Sequence, residues 1–211
     1  ILDLRDAKVF EKVYHKGVFL GVFQFAESGV QKFCKKAKPN NVLDIAAITS
    51  LFRPGPLKGK ADKRYLKFKK SEFEKEHPIL QEVLGETRGC LLYQESFMLL
   101  ANKLAGFTLE EADNLRKLLV KPSTSLSEEM KKERVDVGKK FIEGCVKNGL
   151  TELRAKHLWG KEILGFISYG FSKNHAVPYS YNSYQTAYLL TYHEKEWIKA
   201  CLEFDPDLQE T

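Results

Sequence analysis

The chain has 211 residues, 43% of them hydrophobic and 12% aromatic, with a formal net charge of +6. That is enough apolar material for one large domain or two small ones, and no run of about 18 apolar residues is present to span a membrane. Four cysteines (Cys34, Cys90, Cys145 and Cys201) lie more than fifty residues apart with no C-x-x-C pair, which argues against a zinc site built from them.

Most segments carry the helix period. The apolar runs GVFLGVF (17–23) and CLLY (90–93) are the two candidates for short strands. A lysine run, Lys32, Lys35, Lys36 and Lys38, follows Gln31 and reads as an exposed helix end. Ile45, Ile48, Leu51 and Phe52 mark one apolar helical face. Arg53-Pro54-Gly55-Pro56 then breaks that helix, because proline lacks the amide donor and biases the preceding residue away from the α region. Another helix begins near Gln94 and carries Leu99, Leu100, Lys103 and Leu104. Thr108 with Glu111 three residues on is a capping-box pattern for a helix over 109–121. Ser125 or Ser127 caps the next helix, whose acidic start (Glu128, Glu129) suits the macrodipole and whose stop signals are Asn148 and Gly149. Leu153, Leu158, Ile163 and Phe166 indicate a further helix, and one or two more cover 175–203. The expected fold is mainly α, with at most one or two short strands.

Three segments carry chemistry. Residues 58–75 hold eight cations (Lys58, Lys60, Lys63, Arg64, Lys67, Lys69, Lys70, Lys75) against three acids, with Tyr65, Phe68 and Phe73 interleaved. Lys60, Lys63, Arg64 and Lys67 share one helical face, a row that suits either a phosphate backbone or solvent. In LEEADNLRKLLVK (109–121), Arg116, Lys117 and Lys121 sit on adjacent turns. They could grip an anion with several oxygens, such as a triphosphate, or simply complement the helix dipole. In YGFSKNHAVPYSYNSYQTAYLL (169–190), Gly170 and the turn Ser172-Lys173-Asn174-His175 feed a helix. Such an entrance offers amide donors and positive potential to an anion. Tyr179, Asn182 and Ser183 lie near one helical face from His175, while Tyr184, Ala187 and Tyr188 are expected to pack.

The carboxylate pair that holds two Mg²⁺ in phosphoryl transfer is not visible; Asp205-Pro206-Asp207 contains a proline unsuited to a sheet interior. There is no G-x-x-x-x-G-K-[ST], H-E-x-x-H or G-x-S-x-G motif. The chain therefore reads as a phosphate binder without the apparatus to transfer phosphate. It opens without Met and closes on the acidic FDPDLQET (204–211), as a piece cut from a longer protein would. Thiol usage and the lack of a signal peptide point to a reducing, cytoplasmic setting.

Taken in order, GVFQF (21–25), ITSLFRPGPL (48–57), CLLYQE (90–95), LAGFTLEEADNLRK (104–117), FIEGCVKNGL (141–150) and YGFSKNHAVPYSYNSYQTAYL (169–189) resemble the fingers domain of the bacterial replicative C-family polymerases, the DNA polymerase III alpha subunits. The resemblance covers about residues 4–203, with the basic segment 58–75 as a subregion and 204–211 as a tail. It implies a role in replication: Arg116, Lys117, Lys121, Lys173 and His175 would face the triphosphate of an incoming dNTP. Tyr179 and Ser183 would line the nucleotide or template side, and Arg53 would lie near the cleft, with Lys60, Lys63, Arg64 and Lys67 as further DNA contacts. Gln94 and Glu95 match a polar pair of the family. The implied partners are dNTP, primer-template DNA and the other polymerase domains, with no membrane. Mg²⁺ would be held by palm aspartates outside this chain, so the isolated chain is not expected to polymerise. The other reading is a stand-alone helical module that binds nucleic acid or protein through 58–75. The sequence departs from the family pattern at Ala26-Glu27-Ser28-Gly29, where an arginine is missing, at Lys117 in place of a second arginine, at Val120-Lys121-Pro122, and at Pro178, which either costs a helix begun at His175 an early backbone bond or is itself the first residue of a helix that starts later. These departures suggest a distant member of the family, of bacterial or phage origin.

Overall fold

The computed structural model describes residues 2–53, 56–57, 60–121, 127–166 and 170–204. In chain order its helices are α1 (Ala7–Val9, continuing as a π-helical stretch Phe10–His15), α2 (Ser28–Ala37), α3 (Val42–Leu51), α4 (Ala61–Leu66), α5 (Lys70–Phe73), α6 (Pro78–Leu84), α7 (Gln94–Lys103), α8 (Leu109–Val120), α9 (Glu128–Lys147), α10 (Glu152–His157), α11 (Leu164–Phe166), α12 (Lys173–Tyr192) and α13 (Glu194–Phe204). Among the described residues the only β pairing is an isolated parallel bridge between Tyr93 and Phe171. The fold is mainly α, as composition and period predict.

Local chemistry accounts for several boundaries. Thr108 accepts the Glu111 amide while Glu111 accepts the Thr108 amide, a complete capping box at the start of α8. Ser127 caps α9 by accepting the Met130 amide, and that helix ends at Asn148, followed by Gly149 at φ 97°. Ser125 and Pro122 lie outside the described residues.

Three expectations change. Residues 17–23 do not form a strand. Gly17 and Gly21 take positive φ, and the chain turns so that Phe19 accepts from the Val22 amide and Val22 from the Phe25 amide. Those turns bury Phe19, Val22 and Phe25 together. Leu153 is 82% exposed, because α10 turns Ala155 to the core instead. The chain then passes through a π-helical stretch, Leu158–Ile163, whose five-residue step buries both of its end residues. Finally, α12 starts at Lys173 and contains Pro178 in its interior. Tertiary capping at Lys173, described below, fixes the start despite the donor that Pro178 lacks.

Contacts divide the described residues into two compact units, one within Ile1–Phe52 and Asn174–Thr211, the other within Arg53–Lys173. The first unit is built around α3, which is apolar on nearly every side and buries Ile45, Ile48 and Leu51. Tyr14, Phe25 and Tyr184 complete this core, and the Tyr184 hydroxyl donates to the Asp3 carbonyl at 2.5 Å. The second unit buries Leu84, Phe97, Leu104, Leu115, Phe141 and Leu158 among others. Here α9 passes so close to the turn after α7 that a Cβ on Gly144 would lie 2.0 Å from the Ala105 carbonyl oxygen.

Candidate functional site

In the second unit, α7 and α8 pack side by side and bring their polar residues to the segment Gly170–Lys173. Residues 91–93 lie outside any helix, with Tyr93 extended just before α7, so their backbone can pair with that segment. The Phe171 amide donates to the Leu92 carbonyl at 3.2 Å, and the Gln94 amide donates to the Phe171 carbonyl at 2.9 Å. The Gln94 side chain works from both ends. Its Nε2 donates to the Gly170 carbonyl at 2.8 Å, and its Oε1 accepts from Arg116 Nη1 at 3.3 Å. Glu95 uses both carboxylate oxygens: one accepts the Ser172 hydroxyl at 2.8 Å, the other the Lys173 amide at 2.9 Å.

The anion at the entrance of α12 is therefore the chain's own Glu95. A carboxylate there satisfies an amide that has no partner within the helix and complements the positive end of the dipole. The Lys173 ammonium reaches outward to Glu86 at 2.5 Å. Arg53 lies over the Phe171 ring, 3.8 Å from its centre.

The cations of α8 share one acid. Arg116 donates to Asp113 Oδ1 through Nε and Nη2 at 3.0 and 2.8 Å, and Lys117 Nζ lies 2.6 Å from Asp113 Oδ2. The hydrogen bond from Lys117, followed by that from Arg116, holds the Asp113 carboxyl below its usual range. Arg116 is half-buried with its head fixed at three points, whereas Lys117 is exposed. Lys121 is exposed at the end of α8. Lys60, Lys63, Arg64 and Lys67 are also exposed, on or flanking the six-residue α4, whose Ala61 and Tyr65 face inward. Lys58 lies outside the described residues.

In the first unit, His175 and Tyr179 stand one turn apart on α12 with ring centres 4.0 Å apart, and Phe23 packs against Tyr179 at 5.3 Å. His175, Tyr179 and Asn182 are exposed, while Tyr184 and Ala187 are buried as expected. Ser183 is fully buried, and its hydroxyl donates to the Phe23 carbonyl at 2.5 Å. The Phe23 amide donates to Thr186 Oγ1 at 3.1 Å. Ser183 thus holds Phe23 in place and does not stand at the surface beside Tyr179. The sequence does not single out Phe23, Glu86 or Asp113 as neighbours of these residues: Phe23 and Asp113 lie inside quoted motifs without an assigned role, and Glu86 lies in none.

Among the described residues, no group of three or more His, Cys, Asp or Glu side chains is placed to hold a metal ion. None of the described helices is long and apolar enough to cross a membrane.

Comparison with known proteins adds a second line. Residues 1–149 match the model of the "Bacterial DNA polymerase III alpha subunit finger domain". The chain is 40% identical over 199 residues to the DNA polymerase III subunit alpha of Aquifex aeolicus, covering 93% of this chain and 16% of that protein. The corresponding protein of Halalkalibacterium halodurans is 37% identical over 199 residues, with 94% and 17% covered. That of Chlamydia muridarum is 36% identical over 206 residues, with 98% and 16% covered. The chain thus spans about one sixth of the length of the relatives it matches.

Proposed function

The chain belongs to the finger-domain family of bacterial DNA polymerase III alpha subunits, and on that premise we propose that it orients an incoming deoxynucleoside triphosphate and helps seat primer-template DNA during replication in the cytoplasm. The observation that carries this reading is the convergence in the second unit. Arg53, stacked on Phe171, and Arg116, joined to Gly170 through Gln94, are both brought to the segment Gly170–Lys173, which itself ends on Lys173.

A triphosphate needs several cations in one place. Arg116 supplies a planar fork suited to two phosphate oxygens, and Lys117, Lys121 and Lys173 supply point charges. The resting partners of Lys117 and Lys173 are carboxylates in exposed or half-exposed pairs. Pairs of that kind contribute only about 0–1 kcal/mol, so an anion of higher charge can replace them at small cost. Cations already in position neutralise the charge that develops as pyrophosphate leaves. Mg²⁺ would supply further charge neutralisation from carboxylates outside this chain. His175 and Tyr179 of the first unit are proposed for contacts of their own with nucleotide or template, and Lys60, Lys63, Arg64 and Lys67 for the DNA backbone.

The test is steady-state primer extension by a full polymerase carrying this domain. Arg116→Ala and Lys173→Ala are expected to raise KM for dNTP about tenfold or more, the loss of one charge-assisted bond. Affinity for primer-template should stay within about twofold, because few DNA-backbone cations are removed. Equal loss of both affinities, or no change in KM, overturns the assignment.

A further inference from the structure

We infer that Gln94 and Glu95 are positioning residues for the nucleotide-handling cations, an inference that rests on the reading above. Neither presents a charge suited to a phosphate, and neither is an ordinary cap of its own helix. Both reach from the first turn of α7 to Gly170–Lys173, across 76 to 78 positions of sequence.

Their side-chain types fit the task. Gln94 must donate to the Gly170 carbonyl and accept from Arg116 at the same time. A primary amide does both, a carboxylate lacks the donor, and an aliphatic chain lacks both. Glu95 faces two donors, the Ser172 hydroxyl and the Lys173 amide, at a helix N-terminus. An ionised carboxylate is acceptor-only, has one oxygen for each, and is favoured there by the dipole.

Together with the backbone pairing of Leu92 and Gln94 to Phe171, these bonds set two things. Glu95 sets where α12 begins, and so where the Lys173 side chain leaves the backbone. Gln94 joins the Arg116 guanidinium to the same segment, and Asp113 holds it from the other side. Two cations on different helices are thereby referred to one pair of adjacent residues. A misplacement of about 1 Å can cost on the order of a hundredfold in rate, so that common reference has kinetic weight.

The experiment introduces Gln94→Leu, Glu95→Gln and the double variant Gln94→Leu/Arg116→Ala into a full polymerase, beside Arg116→Ala and Lys173→Ala. Glu95→Gln is isosteric and removes the charge. Should Gln94→Leu fail to fold, Gln94→Glu takes its place, keeping the acceptor for Arg116 and losing the donor to Gly170. Each single variant is expected to raise KM for dNTP about tenfold while primer-template affinity stays within about twofold. The double variant should fall well short of the product of its two single effects, because Gln94 acts through Arg116. Unchanged KM in the Gln94 and Glu95 variants, with raised KM in Arg116→Ala and Lys173→Ala, overturns the positioning role alone. So does a multiplicative double variant, or a matching loss of primer-template affinity. Unchanged KM in Arg116→Ala and Lys173→Ala overturns the nucleotide reading, and the positioning role with it.

Discussion

Cys34, Cys90, Cys145 and Cys201 are all buried. Burial disfavours the thiolate, pushing Cys90 up to about 11 and Cys145 up to about 12 from an ordinary value of 9.0, with nearby arginines opposing the shift. The unfolded thiols release protons at lower pH than the folded ones, so between about pH 9 and 11 the folded state binds more protons. Stability should therefore be fully present below pH 9 and fall as pH rises through that window. Denaturant melts at pH 8, 9 and 10 check the sign, and a flat or rising midpoint would contradict it. The thiols should also resist a water-soluble thiol reagent at pH 8 until the chain unfolds. Their spacing in sequence rules out a C-x-x-C site but is silent on burial, which depends on packing by residues far along the chain. Ser183 shows the same limit. Helical spacing puts it near the face of His175 and Tyr179, and only the docking of Phe23 against α12 turns it into a buried anchor.

Among the helices, ends governed by neighbouring residues were readable and those governed by distant ones were not. Thr108 with Glu111, Ser127, and Asn148 with Gly149 act within a few positions: α8 begins after Thr108, α9 begins after Ser127, one of its two candidate caps, and α9 ends at Asn148. The start of α12 is different. Its sequence offers a start at His175 or at Pro178, yet the helix begins at Lys173, where Glu95 bonds to Ser172 and Lys173. The π-helical stretch at Leu158–Ile163 likewise has no local signal strong enough to separate it from an ordinary helix. Gly144 makes an element-level prediction. Gly144→Ala gains about 1 kcal/mol of helix propensity. Its Cβ would nevertheless meet the Ala105 carbonyl oxygen at 2.0 Å, so α9 must move off the backbone beneath it. Overpacking of this kind costs about 1–3 kcal/mol and more where the obstacle is backbone. The net expectation is a lower melting temperature in Gly144→Ala and little change in Gly85→Ala, where nothing lies within 4 Å.

At the scale of the whole molecule, charge is concentrated in one region: residues 58–75 hold eight cations and three acids. If exposed Lys60, Lys63 and Lys67 meet DNA phosphates, converting all three to Gln in the full polymerase should weaken primer-template binding at low salt. The slope of log affinity against log salt should fall by about 0.9 per lost contact on duplex DNA. KM for dNTP should stay near its parent value, which separates this surface from the Arg116 and Lys173 cluster. An unchanged slope would assign the row to solvent. The helical class, the capped helices, the clustering of cations and the ordered motifs that mark the family are all determined by the sequence, because each depends on residue type and short spacing. The tertiary structure alone decided that Glu95 fills the entrance of α12, that Gln94 ties Arg116 to Gly170, and that the chain divides at Arg53 and Lys173 into two units. Those contacts join positions as many as 78 residues apart. They exist only once burial of the apolar faces has set the helices side by side, and no local period encodes which polar groups will then meet.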